Sequence, residues 1–283
     1  MNIKRREFLK SMAAASAVMS FGGLTKLSGA EKELPIGIQL YTVRSKTGKD
    51  FKGTLKKLVD IGYKNFEFAG YGGMDAGELL GFMGDIGANT CGAHEGYDGL
   101  LKDFDSVLDF NQAIGNPYMV VPSMPGRVRT GGADDIKRFA DNLNTFGFKA
   151  RKAGVQIGYH NHSFEFKKVD GEKTVWDILF SHADVDMLKA EVDIAWVYNA
   201  GLDPVEFLET WDERIKLLHM KDMDENKKLS PIGEGIIDMK GVVKKAKEIG
   251  VDWFIVEQDK TRKGKDIMDE VALSYKNLSK LLS

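Results

Sequence analysis

Cysteine is almost missing from this 283-residue chain, where Cys91 stands alone. A single thiol closes no internal disulfide and builds no zinc–thiolate site, so packing must carry the stability. Histidine is scarce too, at five residues. Neither charge is in excess, because 40 basic and 42 acidic side chains leave a formal net charge of −2. That balance gives no electrostatic reason to expect nucleic acid, whose non-specific binding rests on clustered Lys and Arg. The apolar run Met12 to Gly23 is too short to span a bilayer comfortably. No G-x-G-x-x-G follows the first strand pattern, and no P-loop or Arg-rich phosphate cradle is visible. Low-complexity linkers and signs of a second domain are also lacking. What is present, 43% hydrophobic and 29% charged residues, excludes disordered and fibrous classes and suffices for one large core.

Residues 1–30 read as a separate segment. Lys4-Arg5-Arg6-Glu7-Phe8-Leu9-Lys10 precedes the apolar run, and Ser28-Gly29-Ala30 offers the small residues a signal peptidase reads. The pattern resembles a twin-arginine export signal, a basic amphipathic helix being the plainer alternative. It predicts an exported, periplasmic protein with no stable membrane insertion after the signal is removed. Residues 31–283 are then one domain.

From Pro35 onward, short apolar runs alternate with helical patterns eight times. Strands are predicted at Ile36 to Tyr41, Lys64 to Ala69, Asn89 to His94, Tyr118 to Pro122, Val155 to His160, Leu188 to Ile194, Ile215 to Lys221 and Phe254 to Glu257. The helices between and after them are Asp50 to Ile61, Gly77 to Ile86, Leu101 to Ile114, Asp134 to Ala153, Thr174 to His182, Asp203 to Trp211, Met239 to Ile249 and Asp266 to Leu282. Gly62, Gly87, Gly115 and Gly154 end the first four. Strict alternation argues for a parallel sheet, and eight units argue for a single α/β fold of the (β/α)8 TIM barrel type. An open doubly wound sheet is the alternative.

The most informative string is Val155-Gln156-Ile157-Gly158-Tyr159-His160-Asn161-His162, with Glu165 close behind. Val155, Ile157 and Tyr159 take one parity of a strand, whereas Gly158, His160 and His162 take the other, so both imidazoles face one side. In a closed barrel that side is the axis, at the C-terminal mouth where barrel enzymes keep their chemistry. Taken alone, an H-x-H pair is more often structural. Other strand ends add Glu67, His94, Asp193, His219 and Glu257. Burying so many ionisable groups without a cation is costly, and a divalent metal removes the difficulty. Two imidazoles and two carboxylates suit manganese, zinc, cobalt or iron better than calcium or magnesium.

Gly158-Tyr159-His160-Asn161-His162, Glu191-Val192-Asp193, Leu218-His219-Met220-Lys221-Asp222, Gly233-Glu234-Gly235 with Ile237-Asp238, and Ile255-Val256-Glu257 occur in this order. Together they resemble the strand-end motifs of the xylose isomerase-like barrel superfamily, which holds sugar isomerases, ketose 3-epimerases, dehydratases and endonuclease IV. The resemblance implies one divalent ion, manganese first among the candidates, on His160, Asp193, His219 and Glu257. The fifth-strand residue alone leaves His160 and His162 open as the ligand. The isomerases and epimerases have Glu where this chain has His160, so one of their two acid/base carboxylates is missing. Trp196 replaces a second sixth-strand His found in many members, which argues against a multi-metal nuclease site.

The chemistry implied is metal-assisted enolisation of a free sugar or keto-sugar through an enediolate. Glu257, His162 and Glu165 are candidate bases, and Lys221 or His94 could steady the developing oxyanion. Gln39 and Glu67 could bond sugar hydroxyls, Tyr41, Phe68 and Trp196 could wall the ring, and Glu234 lies on a loop suited to substrate contact. Trp253 is better suited to the core, and Arg127 with Arg129 to a solvated loop. An isomerase or epimerase is the first expectation, with a 3-keto-glycoside lyase or dehydratase close behind. A carbohydrate-binding barrel without catalysis comes next. Oligomeric state is left open.

Overall fold

The computed structural model describes residues 35–169, 171 and 173–283. The export signal expected at residues 1–30, and the start of the domain at residue 31, lie outside these. Eight strands alternate with eight main helices. The strands are β1 (Ile36–Gln39), β2 (Asn65–Phe68), β3 (Asn89–His94), β4 (Tyr118–Val121), β5 (Gln156–His160), β6 (Leu188–Asp193), β7 (Ile215–Met220) and β8 (Trp253–Val256). The helices are α1 (Phe51–Ile61), α2 (Ala76–Asp85), α3 (Tyr97–Ala113), α4 (Ala133–Lys152), α5 (Val175–His182), α6 (Pro204–Thr210), α7 (Met239–Ile249) and α8 (Ile267–Leu282). Every strand pairs in parallel with the next, and β1 pairs with both β2 and β8. The ring is therefore closed, as the alternation predicts, and the open-sheet alternative falls.

Local chemistry sets the element ends. Asp50 caps α1 by accepting the Gly53 N–H, Thr174 and Asp177 form a reciprocal capping box on α5, and Asp203 caps α6 just ahead of Pro204. At Gly62, which ends α1 at a φ of 126°, an added Cβ would stand 2.4 Å from the Tyr275 ring, so glycine is required there. Several expected boundaries shift for visible reasons. The first strand stops at Gln39 because its side-chain carbonyl accepts the Tyr41 N–H at 2.9 Å, which turns Leu40–Val43 into a 3-10 helix. The third helix starts at Tyr97, before the expected Leu101, and is kinked at Asp103 (φ −155°). The sixth strand stops at Asp193, whose Oδ1 accepts the Trp196 N–H at 3.0 Å and caps the short helix Ile194–Asn199.

Strand parity divides the core. Outward side chains pack under the helices, as Tyr159 does against Phe139 of α4 and Phe180 of α5. Burial of such a side chain contributes about 1.5–3 kcal/mol, and a one-residue slip of β5 would forfeit it and turn His160 outward. Inside the ring, Cys91, Tyr118, Val120, Leu217 and Ile255 form an apolar floor, with Trp253 packed against it. Trp253 is thus a core residue. Above the floor the interior becomes polar.

Beyond β7, Asp222–Met223 pairs antiparallel with Leu229–Ser230. The buried Asp222 carboxylate accepts the N–H groups of Met223, Gly233, Gly235 and Ile237. A Cβ at Gly235 would lie 2.2 Å from Asp222 Oδ1 and 2.3 Å from the Met223 carbonyl, so only glycine passes. Asp222→Ala strips these amides of their acceptor and is expected to cost about 2–3 kcal/mol, read as a lower urea midpoint with unchanged slope.

Candidate metal centre

Register brings the polar residues together. Gln39 faces Glu67 across β1 and β2, His160 faces Glu191 across β5 and β6, and Asp193 faces His219 across β6 and β7. Glu257 follows β8 directly, and its backbone N–H donates to the Met220 carbonyl at the end of β7. His160, Asp193, His219 and Glu257 are all buried. One nitrogen or oxygen from each lies within 4.8 Å of the others. His219 Nδ1 is 2.8 Å from Glu257 Oε2, and His160 Nε2 is 3.9 Å from Asp193 Oδ2. Ligand bonds of about 2.0–2.2 Å require donor spacings of this order, so small side-chain movements suffice.

The far nitrogens of both imidazoles point to a second, lower pair of carboxylates. Glu67 Oε2 lies 2.7 Å from His219 Nε2 and accepts the Gln39 amide at 2.8 Å. Glu191 Oε1 lies 2.8 Å from His94 Nε2, 3.0 Å from His160 Nδ1 and 3.0 Å from His219 Nε2. A carboxylate behind a histidine fixes its ring and raises its basicity toward a metal. His94, His160, Glu191 and His219 could also surround an ion, but this set shares two imidazoles with the upper one and offers one carboxylate in place of two. The upper set fits a divalent ion in donor type, offering two imidazoles and two carboxylates that are all buried.

Lys221 is the cation already present. Its ammonium, 1% exposed, lies 2.6 Å from Glu257 Oε2, 2.7 Å from Asp193 Oδ2 and 2.8 Å from Asp259 Oδ2. It shares two carboxylates with the candidate metal set, and Asp259 gives it a third outside that set. Burial alone would lower the pKa of Lys221 and of His219; the carboxylates around each outweigh burial and raise both. Burial pushes Asp193 up to about 6, against the pull of Lys221. Burial and the Lys221 charge bring His162 down to about 4, leaving its imidazole neutral near pH 7.

A cavity of about 430 Å³ opens above the set, lined by Tyr41, His94, His160, His162, Lys221, Glu257 and Asp259, with Ala69, Pro122 and Ser123. Other residues singled out in the sequence lie elsewhere. Gln39 and Glu67 are fully buried beneath the rings. Glu165 is fully buried, with one oxygen on the Tyr159 hydroxyl at 2.7 Å and the other on the His162 N–H at 2.8 Å, so it holds the His162 turn. Trp196 flanks the cavity, its indole 6.2 Å from the His162 ring. Glu234 is exposed on the loop held by Asp222 and does not line the cavity. Phe68 is in the core. Arg127 pairs with Asp98, and the Arg129 guanidinium lies 4.0 Å over the Phe164 ring.

The profile of the xylose isomerase-like TIM barrel family matches residues 55–278. An inosose dehydratase of Lacticaseibacillus casei is 30% identical over 145 residues, 44% of this chain and 48% of its own. The chain thus spans about half the length of that curated relative. A sugar phosphate isomerase/epimerase from Parabacteroides distasonis superposes with a TM-score of 0.77 at 28% identity, covering 91% of this chain and 98% of that one. The zinc-bound IOLI protein, 14% identical, shares the fold with a TM-score of 0.69 over 88% of this chain and 98% of that one.

Two outcomes follow from the geometry. Glu191→Gln should weaken binding of a divalent ion about 10–100-fold with all four candidate ligands intact, read by titration calorimetry. Burial raises Glu165 to about 7 from 4.5, so folding favours its protonated form. Its contribution is full below about pH 4.5 and is lost as pH rises through about 7. The unfolding free energy of the wild type relative to Glu165→Gln should therefore fall by up to about 3 kcal/mol between pH 4 and 8.

Proposed function

The chain belongs to the xylose isomerase-like TIM barrel family, and from that premise we propose that it is a divalent-metal-dependent lyase. It takes a proton from the carbon beside the carbonyl of a keto-sugar or related cyclic polyol and expels a neighbouring oxygen substituent. A divalent ion held by His160, Asp193, His219 and Glu257 would supply the Lewis acidity that polarises the carbonyl. Manganese, zinc, cobalt and iron all suit two imidazoles and two carboxylates.

One observation carries the reading. The fifth-strand position that is Glu in the isomerases and epimerases is His160, and both its nitrogens face carboxylates, Glu191 on one side and Asp193 on the other. The pocket then offers His162, a neutral imidazole outside the candidate ligand set, in place of a pair of acid/base carboxylates on opposite faces. A single base suits elimination. His162 accepts the C–H proton, the electron pair becomes the new double bond, and the same imidazolium returns the proton to the departing oxygen. Lys221 supports this step as a fixed positive charge beside the carbonyl oxygen. Tyr41 and Trp196 bound the space above. The likeness to an inosose dehydratase supports loss of a substituent. Isomerisation or epimerisation is the second reading, favoured by the likeness to the Parabacteroides distasonis protein. Export through the twin-arginine route stays part of the proposal and rests on the N-terminal pattern alone; cell fractionation tests it.

Mass spectrometry in heavy water separates the readings, using a panel of keto-sugars, inososes and 3-keto-glycosides. Elimination lowers the substrate mass by that of the expelled group and the abstracted proton together, whereas reprotonation conserves the skeleton and adds deuterium. Absence of exchange or turnover with every substrate would sink both. His162→Ala should lower kcat about 10²–10⁴-fold while keeping its metal, and His219→Ala should lose the metal.

A further inference from the structure

Asp259 borders a second hollow. This groove of about 510 Å³ is walled by Trp196, Met223 and Leu229 and carries a concentration of basic side chains, although the chain as a whole is slightly acidic. Two of those cations are engaged locally: Arg262 Nε lies 2.5 Å from Glu270 Oε1, and Lys227 Nζ donates to the Asn199 carbonyl at 3.1 Å. The two acids on the groove are engaged as well. Asp224 Oδ1 accepts the N–H groups of Asn226 and Lys228, and Asp259 pairs with Lys221. Lys228, Lys260 and Lys263, all exposed, line the same groove and form no ion pair among the described residues.

We propose that this groove is a second subsite, which holds a negatively charged substituent of the sugar derivative whose reacting carbons lie in the adjoining metal pocket. The proposal rests on the reading of that pocket as a sugar site. Trp196 stands close to both hollows. Its indole lies 6.2 Å from the His162 ring and has Lys221 Nζ 5.3 Å over its face, and it also lines the groove. Asp259 lines both hollows. A ring lying on the Trp196, Met223 and Leu229 wall would bury apolar area, and a carboxylate, sulfonate or phosphonate on that ring would meet three uncompensated ammonium groups. A neutral ring would gain the apolar contact alone.

Four phenyl β-D-glucosides that differ only in the para group, nitro, carboxylate, sulfonate or phosphonate, test this by calorimetry on the metal-loaded protein. At low salt, at least one anionic glucoside is expected to bind about 10-fold more tightly than the nitro compound, and the preferred anion identifies the chemistry. The preference should shrink to about 2-fold or less in Lys260→Ala/Lys263→Ala and on raising NaCl to about 0.5 M. Equal affinity for all four, or a preference that survives the double substitution, overturns the proposal. Inorganic sulfate separates the two layers of the argument. Sulfate held by the wild type and lost in the double variant, with no glucoside bound, sustains the anion groove and overturns the sugar reading of the metal pocket. No binding of sulfate or of any glucoside overturns the groove.

Discussion

Two imidazoles, each standing between carboxylates inside a closed ring of strands, set the terms for the rest of this molecule. His219 has Glu257 at one nitrogen and Glu67 with Glu191 at the other, while His160 lies between Asp193 and Glu191. Ionised groups so deep in a protein are tolerated only when each is paired and its remaining hydrogen-bonding capacity is met. The apolar floor of Tyr118, Val120, Leu217 and Ile255 keeps water from below. The polar layer must therefore satisfy itself, or recruit a cation from above. Gln39 and His94 complete the lower half of that layer, and Lys221 with Asp259 completes the upper half.

The same layer narrows the chemistry. A barrel mouth with two opposed carboxylates can add and remove protons on both faces of a substrate. Here the fifth strand contributes an imidazole committed to its neighbours, and the proposed function assigns acid–base work to His162, two residues beyond the strand. Burial and the adjacent ammonium keep that ring neutral, which is the form a base needs. Glu165 is the quiet partner: it shapes the turn through the His162 amide and the Tyr159 hydroxyl instead of facing the cavity.

Much of this was legible in the sequence because strands alternate faces. Parity alone turned His160 inward and Tyr159 outward, and unit-by-unit spacing placed Asp193, His219 and Glu257 around one mouth. What parity could not give was depth. Gln39 and Glu67 share the inward face with the candidate ligands but sit beneath the rings, where Glu67 meets His219 Nε2 and the Gln39 amide. Glu191 carried a usable signal, two residues before Asp193 and hence on the same face, yet only the neighbouring His94, His160 and His219 reveal its part. Asp259 lies past the last strand, where alternation stops informing. The short helix after Asp193 escaped because that residue reads equally well as a strand end and as a cap.

That double use of Asp193 ties two compartments mechanically. One of its oxygens holds the first turn of the helix that carries Trp196, and the other faces the cluster of imidazoles and ammonium. A carboxylate pivots as a rigid plane, so a change in what the inner oxygen grips tilts the outer one and the turn seated on it. The candidate metal centre and the first turn of the helix that carries Trp196 therefore rest on one side chain.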